Sequence, residues 1–131
     1  MLHVLIVDDD PNLSRSLAIG LRLEGFQVTA ICDGGAALAL VDAGDFDAAI
    51  VDLMLPGVNG IELARQMRNR RPSTRVLLTS AYHLSENQIR RADCGVIGFI
   101  PKPFALGELA EFLRSKISGP PASVRKAANA R

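Results

Sequence analysis

Three aspartates in a row, Asp8, Asp9 and Asp10, follow directly on the short apolar run His3–Val7. A fourth, Asp52, follows the run Ala48–Val51 in the same way, Thr79 and Ser80 close a third run, and Lys102 stands just after a fourth. If these runs are strands of one parallel sheet, the polar residues stand at strand ends, where doubly wound sheets hold their ligands. Neighbouring strands lie about 4.8 Å apart, so Asp8, Asp9 and Asp52 would share one small cleft. Two carboxylates about 6 Å apart at an effective dielectric of about 20 repel by about 3 kcal/mol. Either one of them takes up a proton or a cation binds. All-oxygen ligands with room for water suit Mg²⁺. An exposed aspartate, a hydroxyl, a lysine and Mg²⁺ form a set fitted to phosphoryl transfer, where the protein mainly positions groups and neutralises charge.

The elements that must position this set can be read from hydrophobic period and turn residues. His3–Val7 reads as a strand. Pro11 fixes φ for a first helical turn, and Leu13, Leu17 and Leu21 mark one helical face. Gly25 stops that helix, and Phe26–Ile31 reads as the second strand. Asp33–Gly34–Gly35 reads as a turn before an Ala-rich helix that runs to about Ala43 and ends at Gly44. Ala48–Val51 is continuous and apolar, as a strand buried on both faces should be. Leu53–Asn59, with Pro56 and Gly57, reads as a loop. Ile61, Ala64 and Met67 mark a third helix closed by Arg68–Arg71 and Pro72, and Arg75–Leu78 is a fourth strand. A polar helix is expected over Ser85–Asp93 with Ser85 as N-cap. Gly98–Ile100 begins a fifth strand, and Leu106, Leu109, Phe112 and Leu113 define a last helix that fades near Ser118.

Five strand–helix units at this spacing imply a parallel sheet covered on both faces, because parallel strands need right-handed helical crossovers. Five strands fit the flavodoxin-like order 2-1-3-4-5. That order makes strand five an edge, where Pro101, lacking an N–H, is tolerable. A length of 131 residues allows one domain with a proper core. Residues 1–117 are expected to form it, and 118–131, small and Pro-containing, to be a disordered tail or linker. A net charge of +1 gives no electrostatic footprint for nucleic acid. No apolar run is long enough to cross a bilayer, and the N-terminus lacks the pattern of a signal peptide. Cys32 and Cys94 stand in no metal-binding or redox spacing and fit small buried hydrophobes in a reducing compartment. The expected location is therefore the cytoplasm.

The segments HVLIVDDDP, AAIVDLMLPGVNG, VLLTSAY and GFIPKPF resemble, in order and spacing, the four signature regions of bacterial response-regulator receiver domains, the CheY-like superfamily of two-component and phosphorelay signalling. The resemblance covers about residues 3–117. It implies that Asp52 accepts a phosphoryl group from a phosphohistidine of a partner kinase or phosphotransfer protein. It assigns Mg²⁺ to Asp8, Asp9, the Asp52 carboxylate and the backbone carbonyl of Met54. Lys102 and Ser80 would contact the phosphoryl group, Phe99 would turn inward as a switch, and the Lys102–Pro103 bond would be cis. Asp10 lies outside the acidic pair of the family and reads as a helix cap or surface acid. The implied output is a shift of the surface made by the fourth helix, fifth strand and fifth helix, which meets a downstream protein, a C-terminal effector domain or a second copy of the chain. On this reading the chain is a regulatory phosphoacceptor and not an enzyme acting on other molecules.

Phe99 stands where the family often has Tyr, and Ser80 where it often has Thr; neither departure removes a required chemical group. Met54 and Tyr82 occupy the two family positions that flank the path of an attacking water. Neither is an acid or amide, so a long-lived phosphoryl group is expected. His3 and His83 have no partner at ligand spacing. The competing enzyme reading is a haloacid-dehalogenase-type phosphatase with Asp8 as nucleophile and Asp10 as acid–base. It leaves Asp52 without a role and lacks an acidic pair after Lys102. A pure interaction module, indifferent to Asp52, is the third reading.

Overall fold

The computed structural model describes residues 2–81, 85, 87–88 and 95–117. Five parallel strands form the sheet: β1 (His3–Val7), β2 (Gln27–Ile31), β3 (Ala48–Asp52), β4 (Arg75–Ser80) and β5 (Gly98–Pro101). Their order is β2-β1-β3-β4-β5, all parallel, as the spacing of the apolar runs predicts. The helices whose bounds lie among the described residues are α1 (Pro11–Leu23), α2 (Gly34–Ala43), α3 (Gly60–Arg70) and a final helix, Leu106–Ile117.

Strand side chains alternate between two cores. Val4, Ile6, Ala48, Ile50 and Leu77 point to one face and pack with Leu17 and Leu21 of α1 and Leu109 and Leu113 of the final helix. Leu5, Val7, Ala49, Val51, Val76 and Leu78 point to the other, against Ala37 and Val41 of α2 and Leu63, Ala64 and Met67 of α3. Every residue of β3 is buried, which explains its unbroken apolar run. Full burial of a Leu or Ile side chain contributes about 1.5–3 kcal/mol, so these two layers carry most of the stability.

Several boundaries differ from the sequence reading, each for a local reason. Phe26 is not part of β2, because its N–H bonds to the Leu21 carbonyl while that of Gly25, at φ +97°, bonds to Arg22. That pair of bonds is a Schellman ending of α1. The Asp33–Gly34–Gly35 segment is the start of α2 and not a separate turn before it: Asp33 caps the helix by accepting from the Gly35 N–H at 3.0 Å, and the helix begins at Gly34. Leu53–Asn59 is no open loop. Met54–Leu55 and Val58–Asn59 pair antiparallel around a Pro56–Gly57 tip with Gly57 at φ +69°, the geometry that a type II turn requires. β3 and β4 run further than expected, so Asp52, Thr79 and Ser80 are strand residues. Cys32 is exposed and not a buried hydrophobe, because it lies just beyond the last residue of β2, in the connection to α2.

Ser85 meets its expectation. Its Oγ accepts from the Gln88 N–H at 3.1 Å, and the Gln88 side chain accepts from the Ser85 N–H at 2.7 Å, a reciprocal capping box. The rest of the helix expected over Ser85–Asp93, together with Tyr82, His83, Cys94 and the segment 118–131, lies outside the described residues. Pro101 sits on β5, an edge strand, as its missing N–H demands. On the opposite edge, the Arg22 guanidinium donates to the Val28 carbonyl of β2 at 2.9 Å.

Candidate functional site

The register brings the C-terminal ends of β1 and β3 side by side, with Val7 level with Val51. Asp8 and Asp52 therefore leave the sheet as neighbours. Carboxylate oxygens of Asp8, Asp9 and Asp52 all lie within 4.8 Å of one another. Asp8 and Asp52 are 3% and 6% exposed, while Asp9 is exposed. Buried carboxylates need partners, and each has two. Asp8 Oδ1 accepts from the Asp10 N–H at 2.9 Å, and Asp52 Oδ1 accepts from the Met54 N–H at 3.2 Å. Both contacts span two residues, so each acid folds its own following backbone into a turn. Asp8 Oδ2 and Asp52 Oδ2 share one donor, the Lys102 ammonium, at 2.9 and 3.2 Å.

Lys102 reaches the cleft from the loop after β5. That loop is tied to β4 by the Lys102 N–H donating to the Ser80 carbonyl at 2.7 Å, and its Lys102–Pro103 peptide is cis. Burial lowers the affinity of the Lys102 amine for its proton. Hydrogen bonds and charge from Asp8, then from Asp52, outweigh that effect and raise its pKa above the ordinary lysine value. The lysine is thus an ammonium fixed between two acids.

The other singled-out residues fall into place around this centre. Ser80 is fully buried at the end of β4, one position beyond Thr79, which is level with Asp52. Met54 is 57% exposed. Phe99 is half-buried and packs with the core on the α2 and α3 side. Asp10 caps α1, its carboxylate accepting from the N–H groups of Asn12 and Leu13 at 3.0 and 3.3 Å. His3 stands at the opposite end of β1 from the acids. Its ring faces Phe46 at 4.3 Å and Nε2 meets the Thr29 hydroxyl at 2.9 Å, a structural role.

Two features escaped the sequence reading. One is the Asp10 main-chain N–H on Asp8, which the Asp-rich turn could have signalled. The other is Gly60, which lies against the backbone of Asp52 and Leu53. The Asn59–Gly60 pair just before an apolar helical period was the available signal.

Three hard oxygen donors, two buried and one exposed, fit a Mg²⁺ ion that keeps several waters. Such a centre can hold a divalent cation beside a carboxylate and set a fixed ammonium next to that same carboxylate.

Comparison with known proteins adds an independent line. A family profile described as the response regulator receiver domain matches residues 4–114. The transcriptional regulatory protein TcrA of Mycobacterium tuberculosis is 39% identical over 114 residues, 87% of this chain and 45% of that protein. The sensory transduction protein RegX3 of Mycobacterium bovis is 36% identical over 115 residues, 88% of this chain and 50% of that protein. The chain thus spans about half the length of the curated relatives it matches. Among solved structures, a CheY-like receiver domain protein from Methanospirillum hungatei superposes with a TM-score of 0.84 at 29% identity, covering 90% of this chain and 94% of that one. The regulator TrrA of Thermotoga maritima, solved in complex with Mg²⁺ and BeF, gives a TM-score of 0.78 at 29% identity, over 88% and 98% of the two chains. Sequence profile, relatives and fold agree, and the chain belongs to the response regulator receiver domain family.

Proposed function

We propose that this chain is a phosphorylation-dependent switch whose acceptor is Asp52, working with Mg²⁺ held by Asp8, Asp9, the Asp52 carboxylate and the Met54 carbonyl. The observation that carries this reading is the single ammonium of Lys102 shared between Asp8 and Asp52. It places a fixed positive charge where a phosphoryl group on Asp52 would add negative charge.

In the transfer, a carboxylate oxygen of Asp52 attacks the phosphorus of a partner's phosphohistidine. The P–N bond breaks, a P–O bond forms, and the imidazole leaves as a neutral ring after taking a proton. Bound Mg²⁺ would offset the charge of the phosphoryl oxygens. Lys102 would pair with one of those oxygens and the Ser80 hydroxyl would donate to another. Phe99 would turn inward as Ser80 moves, shifting the surface around β5 and the final helix. The exposed Met54 carries no group able to orient a water, which favours a long-lived phosphoryl group.

On this reading the chain turns over no external substrate. Its partners are a histidine kinase or phosphotransfer protein, and a downstream target or an effector segment of a longer protein. Pairing of two copies through the β5 side is a further option of the same surface, and the cytoplasm is the place where such a relay runs. TrrA, 29% identical, was solved with Mg²⁺ and BeF, which supports the cofactor.

The test is labelling by acetyl phosphate with and without Mg²⁺, read by a phosphate-affinity gel. The expected result is Mg²⁺-dependent labelling that Asp52→Asn abolishes while circular dichroism stays unchanged. Continued labelling of the variant would move the acceptor elsewhere. Turnover of a phosphomonoester instead would favour the phosphatase reading.

A further inference from the structure

Gly60 opens α3 in a place that no side chain fits. A Cβ there would stand 2.6 Å from the Asp52 carbonyl oxygen, 2.6 Å from the Leu53 Cα and 2.8 Å from the Leu53 carbonyl oxygen. All three are backbone atoms, so no rotamer change makes room. By contrast, a Cβ at Gly20 or Gly98 would meet the ends of the Leu106 or Phe112 side chains, which can turn aside. The backbone of Gly60 does not lie in the left-handed region that marks Gly57 and Gly25. Close approach, not conformation, is therefore what demands glycine here.

The approach falls on the peptide that carries Asp52. On one side the Leu53 N–H donates to the Thr79 carbonyl of β4 at 2.8 Å; on the other, the Gly60 N–H donates to the Leu53 carbonyl at 2.9 Å. Asn59 locks the first turn of α3 by accepting from the Ile61 N–H at 2.8 Å. Met54, next along, donates its N–H back to Asp52 Oδ1. The acceptor and the main chain after it thus hang from Leu53, whose two flanking peptides are gripped by β4 on one side and the start of α3 on the other.

We propose that Gly60 is a positioning residue for phosphoryl acceptance: its missing side chain lets the first turn of α3 seat directly on the Asp52–Leu53 peptide. That seat sets where the Asp52 carboxylate and the Met54 main chain stand relative to Asp8 and Lys102. The inference rests on the reading of Asp52 as acceptor. Restoring ordinary contact around an added methyl group would shift this peptide by about 0.5–1 Å, and a misplacement near 1 Å costs on the order of a hundredfold in a positioned reaction.

The experiment compares Gly60→Ala with the wild type and with Gly20→Ala, which crowds a distant flexible side chain. Calorimetry reads the Mg²⁺ dissociation constant. Acetyl-phosphate labelling is resolved into its maximal rate and half-saturating concentration, and thermal melting tracks stability. Gly60→Ala is expected to weaken Mg²⁺ binding by about fivefold or more and to lower the maximal rate by about tenfold or more, with little change in half-saturation. Gly20→Ala should change melting while leaving Mg²⁺ affinity within about twofold. A folded Gly60→Ala with wild-type Mg²⁺ affinity and labelling rate would overturn the proposal. If Gly60→Ala does not fold, Asn59→Ala, which loosens the same seat without adding atoms, carries the test. A loss of about threefold in both quantities is then expected, and wild-type values overturn the idea. Should the wild type itself not be labelled, the acceptor reading fails, whereas the Mg²⁺ comparison still decides whether Gly60 seats the site.

Discussion

Replacing Lys102 by Met removes the one charge that two buried acids share, while keeping most of the stem that packs beside them. In the intact protein the ammonium sits 2.9 Å from Asp8 and 3.2 Å from Asp52. Without it, carboxylate oxygens within 4.8 Å of one another face each other uncompensated. At an effective dielectric of about 20 that repulsion is about 3.5 kcal/mol. Some is relieved as the side chains swing toward solvent, so the expected net loss is about 2–3 kcal/mol, at or below the range for breaking a buried ion pair. For a domain of this size the melting temperature should fall by about 10 °C. A divalent cation would neutralise the same acids, so millimolar Mg²⁺ should stabilise the variant more than the wild type, by the linkage between binding and folding. Urea unfolding with Mg²⁺ and with a chelator gives all four stabilities. A variant as stable as the wild type under chelation, or one that gains no more from Mg²⁺, would refute the idea that Lys102 and the cation answer the same charge.

The pH dependence of that loss has a definite sign. Asp8 and Asp52 raise the Lys102 pKa against the effect of burial, so its stabilisation is complete below the unfolded lysine value near 10.5 and disappears as pH climbs through the folded one. The stability gap between wild type and Lys102→Met should hold level from pH 7 to about pH 9 and close only above about 10.5; a gap already closed at pH 8 would refute the assignment. Gly57→Ala meets open space but needs φ +69°, so calorimetry should find it destabilised by about 1 kcal/mol, and an unchanged melting temperature would contradict the turn geometry. Met54→Asn exchanges an exposed side chain for an amide beside Asp52, and a gel time course should show the phosphoryl half-life shortened several-fold; an unchanged half-life would remove side-chain control of the attacking water.

The strand order was legible because the three central strands, β1, β3 and β4, are apolar runs that lead into a polar residue, and burial on both faces leaves few other reasons for such runs. The acidic cluster was legible for the same reason: adjacency of β1 and β3 follows from the order, and the acids follow from the sequence. What stayed hidden depends on distances of an ångström or two. Nothing in the residue types says that Lys102 bridges Asp8 and Asp52 rather than pairing with Asp52 alone, since loop length and the Lys102 main-chain bond to Ser80 decide its reach. The Met54–Asn59 hairpin was missed because two pairs of residues are too few to show a period, although Pro56–Gly57 announced its tip. Phe26 was drawn into β2 by its aromatic character, and the commitment of its N–H to α1 overrode that propensity. The exposure of Cys32 was misjudged because the average burial of cysteine says nothing about a residue just past a strand end.

The way in which β2 is bounded has a consequence for how copies of this domain can meet. Its N–H and C=O groups alternate, so the bonds Gln27 makes to Leu2 and Ile31 makes to Asp8 leave the Val28 carbonyl facing outward. Arg22 occupies that outward acceptor, and at the far border Pro101 offers no N–H at all. Continuation of the sheet from one molecule into another is thereby obstructed at both margins. These two obstacles favour assembly through helix surfaces and side chains, interactions that can be made and released without unpicking a backbone ladder.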